Sequence, residues 1–147
     1  MKKDNKDIII GEISNAISHT LGKSAGAVMR KAGMAASHRI WPELPSGKSP
    51  MEAGKMMAAA VDELGGFGHF AITSAEGGVS KIEFQKCAFA GLTAESGKPC
   101  GEQAICYFGF GLVEETFRRL TGVVGKVELT RRDDGAETCH ETITPRG

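Results

Sequence analysis

Two pairs of short alternating segments, each folded back across a glycine-containing turn, constrain this chain more than any other feature. The first pair, "HFAITSA" and "VSKIEFQKCAF", flanks "EGG"; the second, "VVGKVELTR" and "ETCHETIT", flanks "RDDGA". Phe70 with Ile72, and Ile82 with Phe84, recur at every second residue, the period of a strand with one buried face. Glycine in the turns supplies the backbone freedom that tight hairpins require. Two hairpins leave one apolar sheet face uncovered, so the rest of the chain has to supply a layer against it.

That remainder reads as helix. Ile9, Ile13, Ile17 and Leu21 repeat at four-residue spacing and predict a first helix with one apolar stripe. Residues 1–10 are either flexible or the start of that helix. Gly22 reads as a stop and Ser24 as the start of a second helix, with Ala25, Val28, Met29 and Ala32 as its apolar side. Its glycines and alanines allow another helix to come close. "WPELPSGKSP" excludes a regular element through its prolines, with Trp41 placed to anchor the loop. Ser49 as N-cap and Pro50 at the first helical position open a third helix reaching Leu64. A fourth occupies 101–121. The order helix, helix, helix, hairpin, helix, hairpin predicts an α+β fold. It consists of an antiparallel sheet of four strands with helices on one face, in a single domain over 1–147.

Charge narrows the partners. The 18 basic residues are matched by 18 acidic ones, so no overall field favours nucleic acid. The N-terminal apolar run, Ile8 to Ile10, is broken by Gly11 and Glu12, too short for a signal core or a membrane span. The expectation is a soluble, cytoplasmic protein, in which the four cysteines act as thiols, metal ligands or catalytic groups rather than disulfides.

Cys87, Cys100, Cys106 and Cys139, with His140 beside the last, are the residues with most chemistry. Four soft ligands from strands and a helix end suit tetrahedral zinc, although no pair has the tight spacing of a zinc ribbon. Cys100 or Cys106 near a helix N-terminus suits a thiolate nucleophile, with His140 or His69 as its base. Buried cysteine packed as a small hydrophobe is the plain alternative. His19 and His38 read as surface residues. Gly22-Lys23-Ser24 lacks the earlier glycine and the strand of a phosphate-binding loop.

Inside the fourth helix "FGFG" is costly, because Gly109 and Gly111 each weaken a helix by about 1 kcal/mol relative to alanine. The cost implies that something approaches the backbone, either a neighbouring element or a ligand. Two residues apart, the glycines face different sides, so one suits packing while the other opens space. Phe108, Phe110 and Leu112 are then candidate cavity walls, with Met29, Met56 and Phe84 opposite.

The segment "CYFGFGLVEETFRRLTGVVGKVELTRRDDGAETCHETI" resembles the 4-vinyl reductase-like, or hydrocarbon-binding, domain family. Cys106, Gly109, Gly111, Glu128, Gly135 and Cys139 match its pattern. "LGKSAGAVMRKAG" and "GGFGHFAITSAEGGVSKIEFQKCAFA" are similar to its second helix and first hairpin. The resemblance implies a homodimer joined through N-terminal helices and an apolar small-molecule cavity, in a carrier, sensor or accessory protein. It also implies a zinc site with Cys106, Glu128 and Cys139 as ligands, whose fourth position falls on Arg131, a residue that cannot ligate. Cys87, Cys100 or His140 would have to substitute. A weaker similarity, to the L-2-amino-thiazoline-4-carboxylic acid hydrolase family, implies hydrolysis of a small cyclic substrate with Cys87, Cys100 and His140 as candidate catalytic residues. A structural dimeric module is the third possibility.

Overall fold

The computed structural model describes residues 5–90 and 102–146. The described chain runs α1 (Asn5–Leu21), α2 (Ala25–Ile40), α3 (Pro50–Glu63), β1 (His69–Ser74), β2 (Ser80–Gln85), α4 (Ala104–Thr121), β3 (Gly125–Asp133) and β4 (Thr138–Pro145). The α+β fold is as the sequence predicts. Both hairpins form, and β2 pairs with β4 to join them into one antiparallel sheet of order β1-β2-β4-β3.

Strand alternation then sorts the side chains. Ile72 faces Ile82 across β1–β2, and Ile82 in turn faces Glu141 across β2–β4, so these three share one side of the sheet. Phe70, Val127, Cys139 and Ile143 are buried on that same side, under α3 and α4. Lys81, Glu83, His140 and Thr142 occupy the other, polar side. A β-bulge between Leu129 and Arg131 shifts the β3 register, setting Arg131 opposite His140 and Arg132 opposite Cys139. Bulges re-aim side chains in this way.

The helix ends follow from local chemistry. Ser49 Oγ accepts from the Glu52 amide at 3.2 Å while Glu52 Oε1 accepts from the Ser49 amide at 3.1 Å, a full capping box ahead of α3. Gly122 closes α4 in the left-handed conformation, φ 81°. At the other end of α4, Ser14 Oγ of α1 accepts from the Ile105 amide at 3.1 Å, satisfying a donor that the helix leaves open.

The closest approach in the fold is α2 on α4. The buried side of α2 is Ala25, Met29, Gly33 and Ser37, a stripe of small residues broken only by Met29. A Cβ added to Gly33 would lie 2.0 Å from the Phe108 carbonyl oxygen, and one added to Gly111 would lie 2.1 Å from that of Arg30. Backbone therefore meets backbone. Ser37 Oγ and Thr116 Oγ1, 2.8 Å apart, continue the seam. Arg119 finishes it, donating to the carbonyls of Ser37 at 2.9 Å and Trp41 at 2.7 Å at the end of α2. One ion pair is sealed in: Arg30 Nε stands 3.3 Å from Glu114 Oε2, which accepts from the Val127 amide at 2.8 Å.

Two expected apolar faces are corrected. Ile9 and Ile13 are 58% and 55% exposed, and Ser14 is the buried residue of α1. On α2, Val28 and Ala32 are exposed, because the close crossing selects the small residues one position away. Among the described residues, no helix is long and apolar enough to cross a membrane.

Candidate functional site

Between α3, α4 and the buried face of the sheet lies an apolar cavity of about 70 Å³. Met57 and Val61 of α3 form one wall, and Phe110, Leu112 and Val113 of α4 another. Phe70, Phe84, Cys139 and Glu141 supply the sheet side. Trp41, Phe67, Cys87 and Phe89, from the connections, complete the lining described. The rings order one another: Phe67 meets Phe84 edge-on at 6.1 Å and Phe89 at 5.3 Å. The Phe89 amide donates to Cys87 Sγ at 3.4 Å, which shapes the turn leaving β2.

The two glycines of "FGFG" divide here. Gly109 lines the cavity, and a Cβ added to it would meet nothing within 4 Å. Gly111 faces the opposite way, onto Arg30 of α2. Of the cavity residues expected from the sequence, Phe84, Gly109, Phe110 and Leu112 are brought together. Four are placed elsewhere. Gly111 is at the helix crossing, and Phe108 packs on the Ala25–Met29–Ala104 cluster between helices. Met29 belongs to that same cluster, and Met56 packs at the edge of the main core while Met57, one residue on, takes the cavity position. A helix turns by about 100° per residue, and this one-residue difference decides which methionine points inward.

Three of the four cysteines, Cys87, Cys106 and Cys139, line the cavity; Cys100 lies outside the described residues. The other proposed ligands do not join them. Glu128 pairs with Thr142 on the polar side of the sheet, 57% exposed and 3.7 Å from Lys126 Nζ. His140 is on that side too, with Nε2 3.0 Å from Arg131 Nη2 and Nδ1 3.9 Å from Glu83 Oε1. Among the described residues, no group of three or more histidine, cysteine, aspartate or glutamate side chains is arranged to hold a metal. With Arg131 in the remaining position, the zinc donor set implied by the resemblance does not converge, and no chemistry is routed through it. The cysteine–histidine pairing is likewise not formed with His140. His69 is exposed and sits 3.3 Å from Asp62.

The feature that sequence reasoning missed is Glu141. It is 9% exposed, between Cys139 and Ile143 on the buried face of β4, and its carboxyl opens on the cavity. Among the described residues no side chain donates a hydrogen bond to it or forms an ion pair with it. Burial, with the adjacent Cys139 sulfur adding to the effect, raises its pKa to about 8. At neutral pH it is therefore a carboxylic acid in an aromatic box. Cys139 has a different neighbour, because the bulge in β3 brings Arg132 Nη1 to 3.2 Å from its sulfur. The signal for Glu141 was present in "CHETI", where alternation puts Cys139, Glu141 and Ile143 on one face.

No protein-family model matches the chain, and no curated protein matches it as a relative.

Proposed function

We propose that this chain is a small-molecule-binding domain that holds a compact, largely apolar ligand between α3, α4 and the sheet. The observation that carries this reading is the cavity itself. It is apolar and ringed by aromatic side chains, and it is left open at Gly109 where a side chain at no steric cost would have filled it. Its volume, about 70 Å³, is roughly half the ~150 Å³ of an apolar cavity that admits benzene, which favours small ligands. The resemblance drawn from Cys106, Gly109, Gly111 and Cys139 supports the same reading.

Saturation-transfer NMR with cyclopropane, methylcyclopropane and benzene tests it, the first two being small enough for the volume found. The chain should bind at least one, and Gly109→Leu, which fills the cavity from α4, should fold and lose that binding. Absence of binding by all three, or undiminished binding by Gly109→Leu, would refute the reading.

The same reading makes the chain a cytoplasmic homodimer, a carrier or a component that signals through a partner. The support is the α1 stripe, Ile9 and Ile13 with Leu21, which is exposed in a single chain and which a second copy would cover. Light scattering after gel filtration should give a dimer that Ile9→Lys with Ile13→Lys converts to a folded monomer. A wild-type monomer would remove the dimer and leave the cavity reading intact.

A further inference from the structure

Glu141 is an expensive residue at its position. A carboxyl taken out of water without a partner is costly, and an alanine or valine would complete the apolar wall. Instead the carboxyl stands at the cavity, nine-tenths buried and unpartnered among the described side chains. The surroundings indicate what would pair with it. Trp41, Phe67, Phe70, Phe84, Phe89 and Phe110 all line the same space, and the negative faces of such rings attract cations. Among the described residues the lining holds no lysine, arginine or histidine, and the nearby Arg30 guanidinium lies behind Phe110 and pairs with Glu114.

Resting on the binding reading above, we infer that the ligand is a small amine: a compact apolar body with one basic nitrogen, which meets the Glu141 carboxyl while the aromatic rings enclose the rest. A purely hydrocarbon ligand would leave the carboxyl desolvated and unpaired. An anionic ligand would face the carboxyl itself, and the Arg132 guanidinium is already engaged with Cys139. Of these three, the ammonium form satisfies both the carboxyl and the rings.

Proton bookkeeping follows from the charge state. The free site holds Glu141 protonated, and an ammonium ion pairs with it as carboxylate, so each cation bound releases one proton. Affinity should rise with pH up to about 8 and level off there, until the amine itself loses its charge. Between pH 6 and pH 8 the ionised fraction of a group titrating at about 8 grows about fifty-fold, and amine affinity should grow with it. Among the described residues, the other titratable groups facing this space are Cys139 on β4, Cys106 on α4 and Cys87 after β2. Arg132 on β3 contacts Cys139, and Arg30 of α2 lies behind the Phe110 ring at 5.6 Å, already paired with Glu114. From α3 the cavity receives Met57 and Val61, neither of which titrates.

The test uses cyclopropylamine and its isosteric hydrocarbon methylcyclopropane, titrated into the full chain from pH 6 to pH 8 by calorimetry and NMR. The amine is expected to bind at least tenfold more tightly at pH 8, with about fifty-fold loss at pH 6. Glu141→Gln should abolish the preference and the pH dependence while still binding the hydrocarbon. Glu83→Gln, which removes a carboxyl from the opposite, polar side of the sheet, should keep both, which assigns the profile to the buried carboxyl. Equal binding of the two probes at pH 8, or a preference that survives Glu141→Gln, overturns the inference and leaves the binding reading standing. Binding of neither probe by the wild-type chain at any pH overturns the binding reading, and the inference with it.

Discussion

Gly109 and Gly111 are two residues apart in one helix, and alanine at the two positions should move stability in opposite directions. At Gly111 the new Cβ would lie 2.1 Å from the Arg30 carbonyl oxygen and 2.7 Å from the Arg30 Cα. An ordinary contact begins near 3.4 Å, so α2 and α4 would have to part by about 1.3 Å. The obstacle is backbone, which no rotamer change can move aside. Overpacking of this kind costs roughly 1–3 kcal/mol, and a gap opened by even ~0.5–1 Å forfeits a quarter to a half of each contact along the seam. Alanine returns about 1 kcal/mol of helix propensity. Because backbone cannot give way, the cost belongs at the upper end, about 3 kcal/mol, and the net loss of about 2 kcal/mol lowers Tm by roughly 4–8 °C in a chain of this size. Gly109→Ala keeps the propensity gain and meets nothing within 4 Å, so its Tm should rise by about 2–4 °C. Gly33→Ala should match Gly111→Ala, and the double variant should cost less than the sum, because one separation of the helices serves both. Thermal melts followed by circular dichroism and calorimetry provide the assay. A Gly111→Ala protein that melts at or above the wild type, or a Gly109→Ala protein that falls as far, would refute the close-crossing argument.

The sealed ion pair gives a second expectation. Arg30→Met leaves Glu114, 4% exposed, without its cation and should cost about 3–5 kcal/mol in urea melts, whereas Arg30→Met with Glu114→Leu should recover much of that loss. A double variant no better than the single one would contradict it. Two carboxylates set opposite pH dependences. The Arg118 guanidinium, helped by His38, holds Glu115 at about 2, so its stabilisation is complete above the usual 4.5 and is lost as pH falls toward 2. Glu141 runs the other way: its raised pKa means the folded chain holds a proton that the unfolded chain has released, so stability falls as pH rises from 4.5 to about 8. Urea melts across that range should show the decline in the wild type and a flatter profile in Glu141→Gln. Equal slopes would place Glu141 in water.

How far the fold was legible depends on which forces act locally. Both hairpins, the Ser49 start of α3 and the Gly122 end of α4 were readable, because turn geometry, capping and strand period are decided within a few residues. The faces of α1 and α2 were not. Ile9 and Ile13 look like core by spacing, yet a single chain offers them no partner, and α2 buries Gly33 and Ser37 where hydropathy favours Val28. Sheet order and the β3 bulge depend on pairing between hairpins distant in sequence, so Arg132 over Cys139 had no local signal. The candidate site was half legible. Phe84, Gly109, Phe110 and, among the described cysteines, Cys87, Cys106 and Cys139 followed from pattern, while Glu141 did not, because a charged letter in a strand reads as solvent-facing until its cover is known.

The central claim is that a ligand sits inside this cavity rather than on the surface. Isotope-filtered NOEs between unlabelled cyclopropylamine or methylcyclopropane and methyl-labelled protein measure that directly. The expected result is cross-peaks to Met57, Val61, Leu112 and Val113, which line the cavity. Cross-peaks confined to the exposed residues Ile9, Ile13 and Val28, or none at all, would contradict it.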